Sequence, residues 1–252
     1  MDNKDNKKNV SEVSLDELNA MDAEALIDWA LTNYGDRVAI GTSFQLSGSV
    51  IIDMAAKHHK EFRVFTVDTG RLHKETHEAM AATEKRYDIK VERKVPNAKR
   101  VHEMVERFGE FLFFTDKAKQ EYCCQLRKVE PNTEALQDVD VWITGLRRDQ
   151  SKARSSAPKA FFMEQWERTI LKLSPLVEWT ENDVLEYIDK NNVPYNSLFN
   201  KGYDSVGCVI CSTPLVIGEE PRSGRWRWFN KTDDKKECGI HLPDNNEKNN
   251  KD

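Results

Sequence analysis

Five cysteines are the residues of this chain with the clearest capacity for chemistry. Cys123 and Cys124 are adjacent, Cys208 and Cys211 form a C-x-x-C pair, and Cys238 stands alone. Neighbouring cysteines rarely form a disulfide with each other, because the ring is small and strained. The C-x-x-C spacing is typical of metal ligands. The grouping therefore indicates four thiols for a metal site and one thiol with a separate role.

Two kinds of metal site are compatible with these four thiols. Structural zinc is the commoner partner of paired C-x-x-C motifs. A single zinc ion needs four sulfurs that converge on one point, which adjacent residues supply poorly because their side chains diverge. An iron–sulfur cubane offers four separate iron corners and accepts such side chains more readily. The spacing favours the cluster over zinc.

The fifth cysteine lies in a basic and polar context, KKECGIH. Lys235, Lys236 and His241 surround Cys238, and positive neighbours favour the thiolate form that attacks electrophiles. The alternative is a small buried thiol, which the polar flanks disfavour.

A basic and aromatic strip precedes that cysteine. It carries Arg222, Arg225 and Arg227 interleaved with Trp226 and Trp228. Such a strip is compatible with single-stranded nucleic acid, with a solvated edge, or with a clamp for one small anion. The chain has 38 basic and 43 acidic residues, a net charge of −5. This balance favours the anion clamp over a nucleic acid or an anionic membrane.

Composition and patterning place these residues on an α/β fold. The 252 residues contain no apolar run near the roughly 20 residues of a membrane span, and the polar N-terminus lacks a signal core. We therefore predict a cytoplasmic protein, where stable disulfides are uncommon. Strands are predicted near residues 37–44, 62–70, 90–95 and 138–151. Helices are predicted near residues 14–33, 50–60, 73–87, 117–137 and 180–192, with another that ends near Phe108.

Alternating strands and helices predict a mostly parallel, twisted sheet with helices on both faces. In such sheets ligands bind beyond the carboxyl ends of the strands. The loop TSFQLSGSV (42–50) follows the first strand and exposes backbone N–H groups at a helix start. An ordinary turn is the alternative, and the loop lacks the Gly-Lys-Ser/Thr of a Walker A motif.

The same loop resembles a degenerate ATP-pyrophosphatase loop. Ser47-Gly48-Ser49 lacks the aspartate with which that motif holds magnesium on a triphosphate. Cleavage of ATP is therefore not expected, whereas a smaller adenine nucleotide remains compatible with the loop.

The chain divides into four predicted segments. Residues 1–12 and 244–252 are predicted to be disordered tails because they are rich in Asn, Lys and Asp. Residues 13–218 are predicted to form the α/β nucleotide-binding domain with the metal site. Residues 219–243 are predicted to form an irregular, mobile C-terminal segment with the arginines and the last cysteine.

Several motifs together resemble the assimilatory adenylyl-sulfate reductases, which belong with the phosphoadenylyl-sulfate reductases and have an adenine nucleotide alpha hydrolase-like fold. The resemblance runs from about residue 35 to residue 243. The matching stretches are SFQ-x-x-G-x-V-x-I-D-M-A, VDTGRLH-x-E-T, CC-x-x-R-K-V-E-P, ITGLRRDQS-x-x-R, NSL-x-x-x-GY-x-S-x-GC-x-x-C, R-x-GRW-x-W and KKECGIH.

The resemblance implies a role for each group of residues. The implied ligands of a [4Fe–4S] cluster are Cys123, Cys124, Cys208 and Cys211. The implied catalytic residues are Cys238 as nucleophile, Lys128, His241, Arg222 and Arg225. The implied contacts of the nucleotide are Ser43, Phe44, Gln45, Ser47, Gly48, Asp68, Thr69, Gly70, Arg71, Gly145 and Arg147, and Arg154 is expected near the phosphosulfate.

The implied reaction is the reduction of adenosine 5′-phosphosulfate to sulfite and AMP with reduced thioredoxin, in assimilatory sulfate reduction for cysteine biosynthesis. It would pass through an S-sulfocysteine on the enzyme. The 3′-phosphorylated nucleotide, alone or as a second substrate, is the nearest alternative. An iron–sulfur tRNA-thiolating enzyme is more distant, because it needs an intact pyrophosphatase loop and a basic surface. No nucleic acid or membrane partner is expected, and the oligomeric state, including a homo-oligomer, stays open.

Overall fold

The computed structural model describes residues 9–229 and 239–240 as a mixed α/β fold. The eight α-helices of this part are α1 (Leu15–Ala20), α2 (Ala23–Tyr34), α3 (Leu46–His58), α4 (Lys74–Tyr87), α5 (Ala98–Phe108), α6 (Lys117–Cys124), α7 (Glu130–Ala135) and α8 (Glu181–Asn191). The six strands are β1 (Val38–Gly41), β2 (Arg63–Val67), β3 (Val91–Lys94), β4 (Val141–Thr144), β5 (Ala160–Gln165) and β6 (Arg168–Leu173).

The strands form a single sheet in the order β3-β2-β1-β4-β6-β5. All neighbours are parallel except β5, which runs antiparallel to β6 at one edge. Ile40 in β1 is paired with Val64 on one side and Ile143 on the other. The carboxyl ends of β1, β2 and β4 therefore meet at the same edge. The predicted parallel α/β sheet is confirmed.

The sheet buries both of its faces. Val38 and Ile40 join the main core beneath α2, α3 and α8, whereas Ala39 packs on the opposite face with Phe65 and Trp142. Alternate strand residues point to opposite faces, and both faces here are apolar. This accounts for the nearly continuous hydrophobic runs that the sequence shows at the central strands.

Three features of the fold differ from the sequence-based predictions. The first predicted helix is two helices, because Asp22 caps α2 through its side chain on the N–H of Ala25. The predicted N-terminal tail is too long, since Val10 lies in a 3₁₀-helix (Val10–Glu12) and is buried in the core. The β5–β6 hairpin was not predicted, because its turn uses Trp166 and Glu167 at positive φ and contains no glycine.

No helix within residues 9–229 has the length and apolar character needed to cross a membrane.

Candidate active site

The four cysteines at positions 123, 124, 208 and 211 line the same small cavity. All four are free thiols, and Cys123, Cys124 and Cys208 are buried. Two distant segments of the chain supply them. The first pair ends α6. In the second pair, Cys208 directly precedes a short 3₁₀-helix (Val209–Cys211), and Cys211 is its last residue. The fold therefore brings the predicted metal ligands together.

A π-helical turn (Gln125–Val129) follows the first cysteine pair directly. Its closing hydrogen bond runs from the N–H of Glu130 to the carbonyl of Gln125, five residues back. Residues 127 and 128 lie within this turn. Arg127 and Lys128 consequently both lie at the cysteine cavity, and both are buried.

The turn after β2 closes another side of the cysteine cavity. Leu72 and Cys208 form an isolated antiparallel bridge, and the N–H of Val209 donates to the carbonyl of Arg71. The Thr69 hydroxyl lies 3.2 Å from Cys208 Sγ, and Arg127 Nη1 donates to the Thr69 carbonyl at 2.8 Å. The turn is thereby fixed to the cysteines.

A further donor reaches the first cysteine pair. Gln120 Nε2, one helical turn before Cys124, donates to its Sγ at 3.1 Å. Polar donors to sulfur are the outer contacts that orient thiolate ligands and tune a metal site.

Electrostatics separate the thiols by their tendency to ionise. Burial alone would raise the pKa of Cys208, but Lys128, the Thr69 hydrogen bond and nearby arginines outweigh it and lower that pKa. Burial raises the pKa of Cys123 despite the opposing Arg127. Burial, together with Cys208, raises the pKa of Cys211 to about 11. A cation bound among them would have to displace these protons.

The donor set fits an iron–sulfur cluster in its chemistry. Four buried thiols with cationic neighbours are the ligand type that such clusters use. Among the described residues no group of three or more His, Cys, Asp or Glu side chains is arranged to hold a metal ion. The cavity between the cysteines measures about 10 Å³. A cluster would therefore require other side-chain positions for these cysteines.

A larger cavity of about 460 Å³ opens at the carboxyl ends of β1 and β4. The start of α3 and the irregular segment after residue 203 complete its wall. Its volume suits a nucleotide-sized ligand. The predicted site residues that line it are Ser43, Gln45, Ser47, Gly48, Lys128, Gly145, Arg147, Arg154, Arg222 and Arg225.

Lys128 lines the large cavity and the cysteine cavity. It is 7% exposed, so its charge acts in a poorly solvated region. Lys128 is therefore the side chain through which the two predicted sites meet.

The β4 loop approaches the start of α3 closely. A Cβ on Gly145 would lie 3.0 Å from the backbone nitrogen of Gly48 and 3.0 Å from Ser47 Cβ. Glycine at this position allows the two walls of the cavity to meet, which any side chain would push apart.

Arg147 is already neutralised by protein groups. It is 3% exposed, its Nη1 donates to Ser47 Oγ at 2.7 Å, and its Nε and Nη2 donate to the Asp149 carboxylate at 2.9 and 3.2 Å. Glu181 Oε2 lies 3.6 Å from Nη2. Arg147 therefore holds the cavity wall together, and little of its charge remains for a ligand anion.

Arg222 and Arg225 share one hydroxyl. Their Nη1 atoms donate to Ser205 Oγ at 3.0 and 3.3 Å, and Arg225 Nε donates to the Cys211 carbonyl at 3.1 Å. A Cβ on Gly207 would lie 2.5 Å from Arg225 Nη2. In the described part of the chain no carboxylate lies within ion-pair distance of Arg225. Its charge is thus available to an anion in the cavity.

Five predicted nucleotide contacts lie outside the large cavity. The Phe44 ring is fully buried in the main core, because the backbone turns there at φ 54° and directs an apolar ring inward. The turn after β2 packs on the cysteine segment and does not line the large cavity, so its contacts with AMP stay predictions. Those residues are Asp68, Thr69, Gly70 and Arg71.

Cys238 and His241 lie outside the described residues. Gly239 and Ile240, which stand between them, are described. Ile240 lines the large cavity and packs with the core cluster of Phe65 and Trp142.

Sequence reasoning missed the acidic part of the cavity wall. Asp149, Glu181 and Asp204 line it together with the arginines. The position of Asp149 after two arginines in GLRRDQS is a signal for an ion pair. Asp204 carries no comparable signal, because its position depends on an irregular segment.

Comparisons with known proteins find relatives over most of this chain. The family model "Phosphoadenosine phosphosulfate reductase domain" matches residues 37–214. The "Adenosine 5′-phosphosulfate reductase" of Allochromatium vinosum is 36% identical over 208 residues, which cover 82% of this chain and 79% of the relative. "Adenosine 5′-phosphosulfate reductase 1" of Bacillus subtilis is 36% identical over 220 residues, which cover 87% and 90%.

Solved structures show the same fold. The phosphoadenylyl-sulfate reductase of Candida auris superposes with a TM-score of 0.66 at 26% identity, covering 81% of this chain and 98% of that one. The FMN adenylyltransferase of Candida glabrata gives a TM-score of 0.54 at 11% identity, covering 96% of this chain and 81% of that one, and shares the fold alone.

Proposed function

Since this chain belongs to the phosphoadenosine phosphosulfate reductase domain family, we propose that it reduces adenosine 5′-phosphosulfate to sulfite and AMP in the cytosol. The electrons would come from a separate dithiol protein of the thioredoxin type. The curated relatives carry the name of this activity. The observation that carries the proposal is the position of Lys128, which lines a nucleotide-sized cavity and the cavity of the four cysteines.

The first chemical step is a substitution at sulfur. The thiolate of Cys238 attacks the sulfur of the phosphosulfate, an S–S bond forms, and the S–O bond to AMP breaks. The bond electrons leave with the phosphate oxygen of AMP. Gly239 and Ile240 follow this cysteine in the chain, and Ile240 lines the cavity.

Cationic side chains assist that step by offsetting charge on the departing phosphate. Lys128, Arg222 and Arg225 line the cavity and are 7%, 9% and 4% exposed, so solvent screens them weakly. His241 is the further member of this set that the family resemblance implies.

The second step regenerates the enzyme. A thiolate of the dithiol donor attacks the sulfur of Cys238, sulfite departs, and a mixed disulfide remains. The second donor thiol then attacks the donor sulfur of that mixed disulfide. Cys238 leaves as thiolate, and the donor is released as a disulfide. Two electrons pass from the donor to the sulfur that becomes sulfite.

The residues that would hold a [4Fe–4S] cluster are Cys123, Cys124, Cys208 and Cys211. When bound, the cluster would fix these four thiolates and place its charge beside Lys128. Gln120 and Thr69 support the cysteines through contacts with Cys124 and Cys208.

The Cys238→Ser variant tests the proposed nucleophile. We expect loss of sulfite release with adenosine 5′-phosphosulfate and a dithiol donor, because a serine hydroxyl is far less nucleophilic toward sulfur. The content of iron and acid-labile sulfide should stay at the wild-type value of about four each per chain. Thr232→Ser, in the same stretch of sequence, is the matched control and should keep full turnover.

Two results would contradict the proposal. Retained turnover by Cys238→Ser would remove this residue from the reaction. Stoichiometric zinc in anaerobically purified protein, without iron or labile sulfide, would remove the cluster.

A further inference from the structure

Asp204 occupies a junction in the wall of the large cavity. Its Oδ2 accepts a hydrogen bond from the backbone N–H of Arg222, and the next residue, Ser205, accepts from the guanidinium groups of Arg222 and Arg225. Arg222 adopts φ 62°, an uncommon conformation for a residue with a side chain. Asp204 therefore holds the backbone of one of the arginines that face the ligand.

The second oxygen of Asp204 has no partner within the described part of the chain. Oδ1 is buried from solvent and accepts no hydrogen bond there. A buried carboxylate oxygen without a donor costs free energy, so such an atom at the wall of a binding cavity indicates a donor from the ligand.

Two more carboxylates lie on the same side of the cavity. Asp149 pairs with Arg147 and accepts the N–H of Glu181 at 2.7 Å. Glu181 is close enough to Asp149 and Asp204 for both to act on its ionisation. Asp149 and Glu181 therefore flank Arg147, and Asp204 lies near Glu181, so three carboxylates line this part of the cavity beside two arginines, Arg147 and Arg154.

The cationic side of the cavity carries the side chains that line both cavities or adjoin the cysteines. Lys128 lines both, and Arg225 donates to the carbonyl of Cys211. The cationic side of the cavity is thus suited to phosphosulfate, and Asp204 borders it directly because it accepts the backbone N–H of Arg222. A nucleotide whose anionic group occupies the cationic side presents its ribose hydroxyls next along the wall.

We propose that Asp204 is a specificity residue that accepts a hydrogen bond from the ribose and, with Asp149 and Glu181, excludes nucleotides that carry a 3′-phosphate. This inference rests on the proposed function and assigns its substrate class. A hydroxyl satisfies the unpartnered oxygen of Asp204. A 3′-phosphate has no proton to donate when ionised and brings negative charge against three carboxylates.

Binding measurements test this inference without turnover. Calorimetry would compare AMP with adenosine 3′,5′-bisphosphate on the full chain. We expect wild-type protein to prefer AMP, and Asp204→Asn to shift the ratio of the two affinities about tenfold toward the bisphosphate. The asparagine oxygen can still accept the N–H of Arg222, so the arginine keeps its position. The wild-type preference should also shrink as salt is raised.

Two variants accompany that measurement. Glu181→Gln removes a half-exposed charge from the same side and should shift the ratio in the same direction. Asp189→Asn, an exposed residue on α8, is the matched control and should leave the ratio unchanged. Because Glu181 is half exposed, we expect Glu181→Gln to fold. It therefore still tests the inference if Asp204→Asn does not fold.

The outcomes separate this inference from the proposed reaction. An unchanged ratio in both Asp204→Asn and Glu181→Gln would overturn the specificity role. An equal loss of affinity for both nucleotides would assign Asp204 a purely structural role and would also overturn it. The proposed function fails independently if the wild-type chain binds AMP but releases no sulfite from adenosine 5′-phosphosulfate.

Discussion

At the scale of one residue, Lys128 lines both candidate sites of this molecule. It is buried, belongs to the π-helical turn and contacts two cavities of different character. The family resemblance implies a catalytic role for Lys128, and the structure places its side chain at the wall of both cavities.

Replacement of this lysine by methionine keeps the length of the side chain and removes its charge. We expect Lys128→Met to lower kcat/KM for adenosine 5′-phosphosulfate about 100-fold, because charge on the departing phosphate loses a poorly solvated cation. Steady-state kinetics on protein of matched iron content would measure the loss. Lys190→Met, on the exposed side of α8, should retain normal kinetics. A change below threefold in Lys128→Met would contradict its role.

His73 predicts a pH dependence of stability. Burial, with Arg225 nearby, lowers its pKa despite the carboxylate of Glu75, and its Nε2 has no partner among the described residues. Above about pH 6.5 the imidazole is neutral in folded and unfolded chains alike. As the pH falls below that value the unfolded chain binds the proton first, so the free energy of unfolding decreases.

Denaturant titrations between pH 7 and pH 5 would detect that decrease. The His73→Gln variant should show a flatter profile than the wild type over this interval. His102→Gln, which replaces an exposed histidine on α5, should keep the wild-type slope. Identical slopes in His73→Gln and wild-type protein would assign the acid sensitivity to other groups.

At the scale of elements, a buried carboxylate ties three helices together. Asp53 in α3 accepts hydrogen bonds from Tyr87 of α4 and Tyr187 of α8, each at 2.8 Å. Burial, together with these bonds to the carboxylate, raises the pKa of both phenols, so they remain donors at neutral pH. The first turn of α3 contributes Ser47 and Gly48 to the large cavity. The tie therefore positions one wall of the site.

Loss of this tie should be costly. We expect Asp53→Ala to lower the free energy of unfolding by about 2–4 kcal/mol, because two partly buried hydroxyls lose their acceptor. Urea titration would measure the change. Tyr87→Phe and Tyr187→Phe should each cost less, and a cycle that combines each with Asp53→Ala should show strong coupling. Additive losses would show that the hydroxyls do not depend on Asp53.

The sequence predicts most of these elements but not every junction between them. Hydrophobic runs and caps such as Thr180 with Asp183 identify the central strands and α8, since their signals are local. The split between α1 and α2, the β5–β6 hairpin and the π-helical turn depend on tertiary packing. The four cysteines were predictable as a group because their spacing is a local signal, whereas the position of Asp204 depends on tertiary packing.

At the scale of the whole molecule, residues before 230 line the cysteine cavity and most of the large cavity. Among the described residues after that point, Ile240 lines the large cavity. The cysteines proposed to hold the cluster and most residues that line the large cavity thus precede, in sequence, the stretch that contains Cys238.

A chain that ends at Phe229 would test whether the residues before 230 bind AMP and the cluster without the stretch that contains Cys238. We expect it to fold, to retain iron and sulfide, and to bind AMP within about tenfold of the full chain, because Ile240 is the cavity-lining residue that it loses from the described part of the chain. Sulfite release should be absent. Circular dichroism, metal analysis and calorimetry would establish these properties together. Residual sulfite formation would show that a cysteine before residue 230 can attack the substrate.

The π-helical turn also carries a consequence for chain length. Its i→i+5 bonding accommodates one more residue than a regular α-helix would hold over the same rise. Removal of one residue between 125 and 129 would let α6 and α7 merge into a continuous regular helix. The same deletion would rotate Cys123 and Cys124 away from the cavity. A regular helix therefore needs one residue fewer here than the thiol site does. Deletion of one residue would give a regular helix and would disrupt the thiol site.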